Sequence, residues 1–339
     1  MTVFACPGCG QLVYFANTAC LACGTAFAFD PASMAMVAVG PEVARCANAE
    51  VAACNWRAAA PGALCDSCVL TRTRPAEDDL DAIAQLQVAE GAKRRLVFQL
   101  LRLGLPLEVR DEARGTGVAF DLLSSTEQPV TTGHAGGVIT LDLAESDAVH
   151  REKVRTLLSE PYRTVLGHFR HEIGHYFFPV LLPGEGDREA ARGLFGDERE
   201  DYQAALDRHY AQGAPEQWGE QHVSEYATMH PAEDWAETFA HYLHIRGVLH
   251  TAASWGLQVR GPQLPGGTQP GLSVDPAGLE EVDAEGLIAG WLPLSYALNA
   301  VNRSMGEADL YPFVLSPVVM TKLAFIHDRV GRVSPRGAR

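Results

Sequence analysis

The sequence predicts an α+β protein in two parts, a small cysteine-rich region at residues 1–75 and a larger mixed domain at residues 76–339. Three observations support this prediction. All eight cysteines lie before residue 69. An apolar stripe with helical spacing covers residues 166–177, and residues 137–143 alternate between apolar and polar side chains as a half-buried strand does. Both kinds of secondary structure are therefore expected in the larger part.

Capping residues and hydrophobic periodicity place the other elements of the larger domain. Asp78 and Asp79 favour a helix start, and the basic residues 93–95 suit the end of a helix that we expect to reach about Leu103. Residues 256–286 are rich in glycine and proline and predict a long loop. The other predicted elements are strands at 106–110, 117–123 and 137–143 and helices at 197–211, 285–304 and 316–330.

The cysteines form two groups of four with the spacing of metal-binding knuckles. The first group contains two CxxC pairs, and each pair is followed at once by a glycine, Gly10 or Gly24, which permits the turn that a knuckle needs. The second group has one CxxC pair and one wider pair, so its spacing is less regular. We predict two structural zinc sites, held by Cys6, Cys9, Cys20 and Cys23 and by Cys46, Cys54, Cys65 and Cys68.

Two other interpretations of the cysteines fit less well. Disulfides need an oxidising compartment, but the start MTVFACPGCGQ has neither the basic nor the apolar segment of a secretory signal. A redox CxxC pair is expected near a βαβ pattern, whereas these pairs occur in ribbon-like sets. We therefore expect a cytoplasmic protein with a zinc-ribbon region whose folding depends on metal.

The charge distribution argues against nucleic acid and anionic membranes as partners. The formal net charge is −15 at pH 7, while residues 1–75 hold four arginines, four acidic residues and no lysine. No apolar run approaches the length of a membrane span. We expect a protein or peptide as partner, and no oligomeric state follows from the sequence.

The sequence HEIGH begins at His171 and matches the HExxH pattern of zinc proteases. Residues four apart share one face of a helix, so His171 and His175 can hold one metal ion, with Glu172 placed as a general base. The apolar stripe at 166–177 supports a helix, and Pro179 is expected to end it. The alternative is a structural helix with two ordinary histidines, since the bare pattern also occurs by chance.

Catalytic zinc usually takes three protein ligands, so a third is expected downstream. The extended pattern HExxHxxGxxH is excluded because its glycine and third histidine are absent. In segment 226–241, Pro231 favours a helix start. Glu233, Glu237 and His241 then share one face. We assign Glu233 as the ligand and Glu237 as the hydrogen-bond partner of a ligating imidazole, while the reverse assignment and His241 as ligand stay open.

Tyr226 lies seven residues before Glu233 and could donate a hydrogen bond to the oxyanion of a tetrahedral intermediate. An ordinary packed tyrosine explains the same spacing equally well. An exposed helix face would likewise explain Glu233 and Glu237. Such a face usually carries lysine or arginine, however, and neither occurs between Arg208 and Arg246.

These motifs together resemble a bacterial family of zinc-binding metallopeptidases in which a cysteine-rich zinc ribbon precedes an HExxH domain. The resemblance covers nearly the whole chain and implies a zincin-like fold, with an HExxH helix, a small mixed sheet and several helices. It implies metallopeptidase chemistry without a particular substrate. The matching stretches are CPGCGQLVYF, CNW at 54–56, GVITLDLAESD, EPYRTVLGHFRHEIGHYFF, LFGDEREDY, HPAEDWAETFAHYLH and NRSMGEADLYPFVLSP.

A looser similarity extends to the catalytic domain of anthrax lethal factor and related zincins. In those proteins a tyrosine follows the HExxH helix, and a metal-binding glutamate that opens an ExxxE pattern comes seven residues later. Tyr226, Glu233 and Glu237 fit that pattern, which favours Glu233 over Glu237 as the ligand. Lethal factor lacks a cysteine-rich ribbon at this position, so its substrate choice is not transferred.

The resulting hypothesis is a zinc-dependent metallopeptidase that acts as an endopeptidase, with one catalytic zinc on His171, His175 and Glu233 and two structural zincs. Glu172 would take a proton from the attacking water and pass it to the leaving amine. The substrate could pair with strand 137–143 as an edge strand, while an ordinary half-buried strand explains the same alternation equally well. The alternatives are a zinc-stabilised adaptor with a vestigial protease site and a regulator that cleaves one specific partner.

Overall fold

The computed structural model has the α+β architecture that the sequence predicts. The chain divides into two compact units, Thr2–Tyr176 and Phe177–Arg332, called here the N-terminal and the C-terminal unit. The boundary between these units differs from the predicted domain boundary, which divides the chain into residues 1–75 and 76–339 and stays a prediction. Among the described helices, none combines the length and the apolar composition that crossing a bilayer requires. The structure describes residues 2–126, 128–157, 162–261, 273–275 and 282–333.

The cysteine-rich region consists of three short antiparallel hairpins around an aromatic core. The hairpins pair β1 (Phe4–Ala5) with β2 (Leu12–Val13), β3 (Phe27–Asp30) with β4 (Ala35–Ala38), and β5 (Ala44–Arg45) with β6 (Arg57–Ala58). The ring centroids of Phe29 and Trp56, both fully buried, lie 4.9 Å apart. Phe98 of helix α1 (Leu80–Arg102) lies 5.0 Å from Phe15 in the same core. The ribbon and α1 therefore bury their apolar surface together.

A small mixed sheet follows the ribbon and supports the rest of the N-terminal unit. Its order is β7-β8-β10-β9, with β8 parallel to β7 and β10 and with β9 antiparallel to β10. Strand β10 pairs on both sides, so the expectation that segment 137–143 is an edge strand is wrong, and β9 forms that edge. The strands are β7 (Thr71–Thr73), β8 (Ala119–Leu123), β9 (Gly133–Ala135) and β10 (Val138–Asp142).

Helix α1 confirms the helix predicted from residue 78 to about Leu103. The carboxylate of Asp79 accepts a hydrogen bond from the N–H of Ala82 at 3.0 Å and caps the first turn. The predicted strand at 106–110 is wrong, since Val109 forms only an isolated bridge to the segment before β8. Helix α2 (Ala148–Leu157) was not predicted.

Helix α3 (Val165–Leu181) carries the HExxH sequence and runs past Pro179, so the expected end of the helix at that residue is wrong. Proline removes one N–H from the helical ladder. The hydrogen bonds after it still form, because the N–H of Leu182 donates to the carbonyl of Phe178 at 3.0 Å. The helix therefore continues past Pro179 to Leu181.

The C-terminal unit is mainly helical. Its helices are the end of α3, α4 (Glu185–Phe195), α5 (Tyr202–Gln212), α6 (Pro231–Ser254), α7 (Ala284–Ser304) and α8 (Pro317–Val333). The predicted helices at 285–304 and 316–330 are confirmed as α7 and α8, whereas α4 was not predicted. The helix predicted at 197–211 starts later, because Asp201 caps it by accepting the N–H of Ala204 at 2.9 Å.

Within the predicted loop 256–286, the described residues form a short hairpin of β11 (Val259–Arg260) and β12 (Ser273–Val274). The rest of that prediction, at 262–272 and 276–281, lies outside the described residues.

Helix α6 forms the centre of the C-terminal unit. It starts at Pro231, as predicted, and its Trp235 is fully buried against Phe178 and Phe195, at ring-centroid distances of 5.3 and 5.5 Å. A buried ion pair joins Asp234 to Lys322 of α8 at 2.6 Å. Because breaking such a pair leaves an uncompensated buried charge, it fixes the first turn of α6 firmly.

Candidate metal centre and cysteine sites

Helix α3 is held in the N-terminal unit by one aromatic contact and one buried polar contact. The ring of Phe169 packs edge-on against Phe120 of β8 at 5.5 Å. The guanidinium of Arg170 donates to Oε1 of Gln99 through Nε at 3.2 Å and Nη2 at 3.1 Å. Burial lowers the pKa of Arg170 to about 10, which leaves it charged at neutral pH. The sheet and α1 thus fix the position of the HExxH turn.

The structure brings His171, Glu172 and His175 together on one turn of α3. The Nε2 atoms of the two histidines lie 3.3 Å apart, and the ligand atoms of all three residues lie within 4.8 Å of one another. A tetrahedral zinc with Zn–N bonds of about 2.0–2.1 Å separates two nitrogen ligands by about 3.3–3.4 Å. The two imidazoles therefore have the spacing that zinc requires, and the buried carboxylate of Glu172 lies beside them.

A third imidazole, which the sequence analysis did not identify, lies against this pair. His134 of β9 stacks on His175 with ring centroids 5.9 Å apart and ring planes inclined by 11°. Its Nε2 accepts a hydrogen bond from the N–H of Gly137 at 3.1 Å. Burial, with the nearby charges of His175 and Arg110, lowers the pKa of His134 to about 4. No metal motif in the sequence includes this residue.

Glu233 and Glu237 lie in the C-terminal unit, on the same face of α6, and each accepts a hydrogen bond from a hydroxyl group. The hydroxyl of Tyr202 donates to Oε1 of Glu233 at 3.0 Å, and Glu233 is buried. The hydroxyl of Ser224 donates to Oε2 of Glu237 at 2.6 Å. Hydroxyl donors hold these carboxylates in a fixed orientation. Tyr202 is in the LFGDEREDY stretch, but no spacing rule joins it to Glu233.

The other two polar candidates also lie in the C-terminal unit. His241 is buried, and its Nδ1 lies 2.7 Å from the hydroxyl of Tyr311. Burial raises the pKa of Tyr311, so its hydroxyl keeps its proton. Tyr226 starts a short helical turn just before α6 and is 39% exposed, with its ring 6.3 Å from that of His209. The role predicted for Tyr226 stays a prediction.

The first cysteine group forms a compact site with two matching knuckles. Sγ distances of 3.6 Å between Cys6 and Cys23 and 3.7 Å between Cys9 and Cys20 approach the roughly 3.8 Å edge of a tetrahedral zinc–sulfur site. In each knuckle the residue after the second cysteine is a glycine with φ near 75° whose N–H donates to the first cysteine's carbonyl at 2.9 Å. The glycines serve the turn as predicted.

The second cysteine group forms a similar cluster that is more deeply buried. The Sγ atoms of Cys54 and Cys65 lie 3.6 Å apart, and all four thiols of this group are buried. Hydrogen bonds from its neighbours, Cys54 first, hold the pKa of Cys46 well below its usual range. The same bonds raise the pKa values of Cys54, Cys65 and Cys68. A bound metal ion would favour the thiolate form of all four cysteines, because metal ligands must be deprotonated.

Comparisons with known proteins agree with this geometry. Residues 82–329 match a family model described as "Putative zinc-binding metallo-peptidase", and residues 3–79 match a zinc-ribbon domain. Uncharacterized proteins of Mycobacterium tuberculosis and Mycobacterium bovis are 51% identical over 340 residues, which cover 99% of this chain and 97% of each relative. No solved structure matches the chain. The chain belongs to the zinc-binding metallopeptidase family and carries that family's zincin-like α+β domain behind an N-terminal zinc ribbon.

Proposed function

We propose that this protein is a zinc-dependent endopeptidase of the gluzincin class, with one catalytic and two structural zinc ions. One observation carries the proposal: two Nε2 atoms lie 3.3 Å apart beside the buried carboxylate of Glu172. Membership of the metallopeptidase family supports the reaction class. The proposed substrate is a protein or peptide chain.

Glu233 is the proposed third ligand of the catalytic zinc, with His171 and His175. Glu233 is almost completely buried, at 2% exposure, and a buried carboxylate is stabilised by positive charge and by hydrogen-bond donors. A divalent cation would supply that charge, and the hydroxyl of Tyr202 already orients one oxygen. The similarity to lethal factor favours the same residue.

The proposed chemistry uses the chain's own groups to orient the reactants and move one proton. Zinc, when bound, supplies a Lewis acid that lowers the pKa of water and polarises a carbonyl. Glu172 takes the proton of the attacking water and delivers it to the leaving amine. Glu237 holds one ligating imidazole in a fixed tautomer. Tyr226 donates a hydrogen bond to the oxyanion of the tetrahedral intermediate.

The substitution Glu172→Gln tests the proposal directly. It keeps the shape of the side chain but removes the base, so we expect kcat/KM on casein to fall by about 10²–10⁴-fold. Zinc content measured by mass spectrometry should remain at about three ions per chain, because Glu172 is not a ligand. Glu189→Gln, an exposed change on α4, is the matched control and should leave both quantities unchanged.

Two outcomes would contradict the proposal. Wild-type cleavage rates in Glu172→Gln would exclude Glu172 as the base. Failure of the fully zinc-loaded wild-type protein to cleave casein or a peptide library would exclude a general endopeptidase, and it would favour an adaptor or a protease that acts on one partner.

A further inference from the structure

We infer that His134 is a positioning residue of the catalytic centre, where it fixes the ring orientation of His175. The inference rests on the proposed function, because His175 must be a zinc ligand for its orientation to matter. The ring planes of the two histidines are nearly parallel, at 11°, and offset, with centroids 5.9 Å apart. Offset parallel packing is a favourable arrangement of aromatic rings.

The backbone fixes the His134 ring before any metal arrives. The ring's Nε2 accepts the N–H of Gly137 at 3.1 Å, and a nitrogen that accepts a hydrogen bond cannot carry a proton. His134 is therefore a neutral imidazole with its proton on Nδ1. Gly137 has a φ of +85°, and a Cβ there would lie 2.6 Å from the carbonyl oxygen of Gly117. Glycine is therefore required where the chain supplies this N–H.

His134 is not proposed as another ligand. Its Nε2 is already engaged by Gly137, and the metal-binding cluster of the described residues on α3 contains only His171, Glu172 and His175. Its position on the edge strand β9 places it on an element that is separate from α3. The sheet therefore limits the rotation of an imidazole that the helix carries.

A fixed ring matters because a ligand is effective only when its nitrogen points at the metal. The Nε2 of His175 lies 3.3 Å from that of His171, and a rotation of either ring would change that spacing. Residues that orient a metal ligand typically contribute about 10–100-fold to metal affinity or activity. We expect His134 to contribute near the lower end, because it acts through ring packing and forms no hydrogen bond to His175.

The test compares His134→Ala with His134→Phe in the full chain. The affinity of the catalytic zinc is measured by competition with a chromophoric chelator, and kcat and KM are measured on casein. His134→Ala removes the stacked ring and should weaken catalytic zinc affinity by about tenfold. His134→Phe keeps a ring against His175 and should recover most of that loss. KM should change little in either variant, because the substrate does not contact His134 in this proposal.

Thr132→Ala provides a matched control for damage to the hairpin. The hydroxyl of Thr132 accepts the N–H of Asp142 at 3.1 Å, so this change weakens the same pair of strands without touching His175. Wild-type zinc affinity in His134→Ala would overturn the inference, as would an equal loss in Thr132→Ala. His175→Ala distinguishes the two proposals: if it retains all the zinc of the wild type, the proposed function fails.

Discussion

The cysteine sites and the imidazole pair of the N-terminal unit differ in how complete they are. Each cysteine site gathers four thiols from one short stretch of chain, which is the number of ligands that a tetrahedral structural zinc takes. One turn of α3 supplies only two imidazole nitrogens and the carboxylate of Glu172. A closed site converts metal binding into folding energy, whereas a site with an open position can bind water and a substrate.

The two cysteine sites also differ from each other. Cys9 and Cys23 of the first site are exposed, whereas all four thiols of the second site are buried. The second site also receives support from α1, where Arg94 donates to the carbonyls of Ala52 and Ala53, both at 3.0 Å. We therefore expect metal binding at the second site to stabilise the fold more than metal binding at the first.

The largest effect is expected at the open centre. Glu233→Ala removes a proposed ligand and should abolish measurable casein cleavage while reducing zinc from three ions to two. Glu237→Ala removes only an orienting group and should cost roughly 10–100-fold in catalytic zinc affinity. The two variants are compared by metal analysis and by chelator competition. The reverse order of effects would make Glu237 the ligand, and two wild-type results would exclude both glutamates as ligands.

The second effect concerns the buried cysteine site. Cys54→Ser should remove one zinc ion and lower the free energy of unfolding of the ribbon by several kcal/mol. Structural zinc provides about 10–16 kcal/mol in small domains, and this change should remove a substantial part of it. Ser67→Ala is the control in the same loop. The hydroxyl of Ser67 is buried without a hydrogen-bond partner in the described part of the chain, so this change should be nearly neutral.

Thermal unfolding followed by circular dichroism, with zinc analysis, checks this comparison. Equal stability of Cys54→Ser and the wild type would show that the second site does not hold a structural metal.

The smallest expected effect is a difference in alkylation rate between the exposed thiols of the first cysteine site and the buried thiols of the second. Alkylation with iodoacetamide should modify Cys9 and Cys23 about tenfold faster than the four buried thiols of the second site, because reaction requires access to sulfur. Peptide mass spectrometry at successive times identifies the modified residues. Modification of Cys9 and Cys23 at the same rate as the thiols of the second site would mean that exposure does not determine their reactivity.

What the sequence could predict was local. The CxxC pairs, the HExxH turn and the start of α6 at Pro231 depend on residues within a few positions of one another, and the structure brings the cysteines together in two clusters and His171, Glu172 and His175 in a third. The continuation of α3 past Pro179 does not follow from the sequence, because a proline usually ends a helix and the hydrogen bonds that extend the last turn are visible only in the structure.

What the sequence could not predict depends on contacts between distant segments. His134 reaches His175 across 41 positions because β9 is the edge of the sheet, and strand order does not follow from alternation alone. The same limit applies to segment 137–143, because its alternation does not reveal that β9 pairs with β10 and forms the edge. Tyr202 and Glu233 are likewise joined only by the fold of the C-terminal unit.

Strand β7 connects the ribbon to the sheet of the N-terminal unit. It begins at Thr71, three positions after Cys68, and pairs with β8, where Arg72 binds Asp121 through Nε at 3.1 Å and Nη2 at 2.5 Å. The neighbouring Phe120 packs against the HExxH helix. If the ribbon needs zinc to fold, as proposed, a chain synthesised under zinc starvation would lose the strand that supports the HExxH helix together with its ribbon. Zinc supply would then set how much folded protein accumulates, and a truncation at residue 76 would delete that strand.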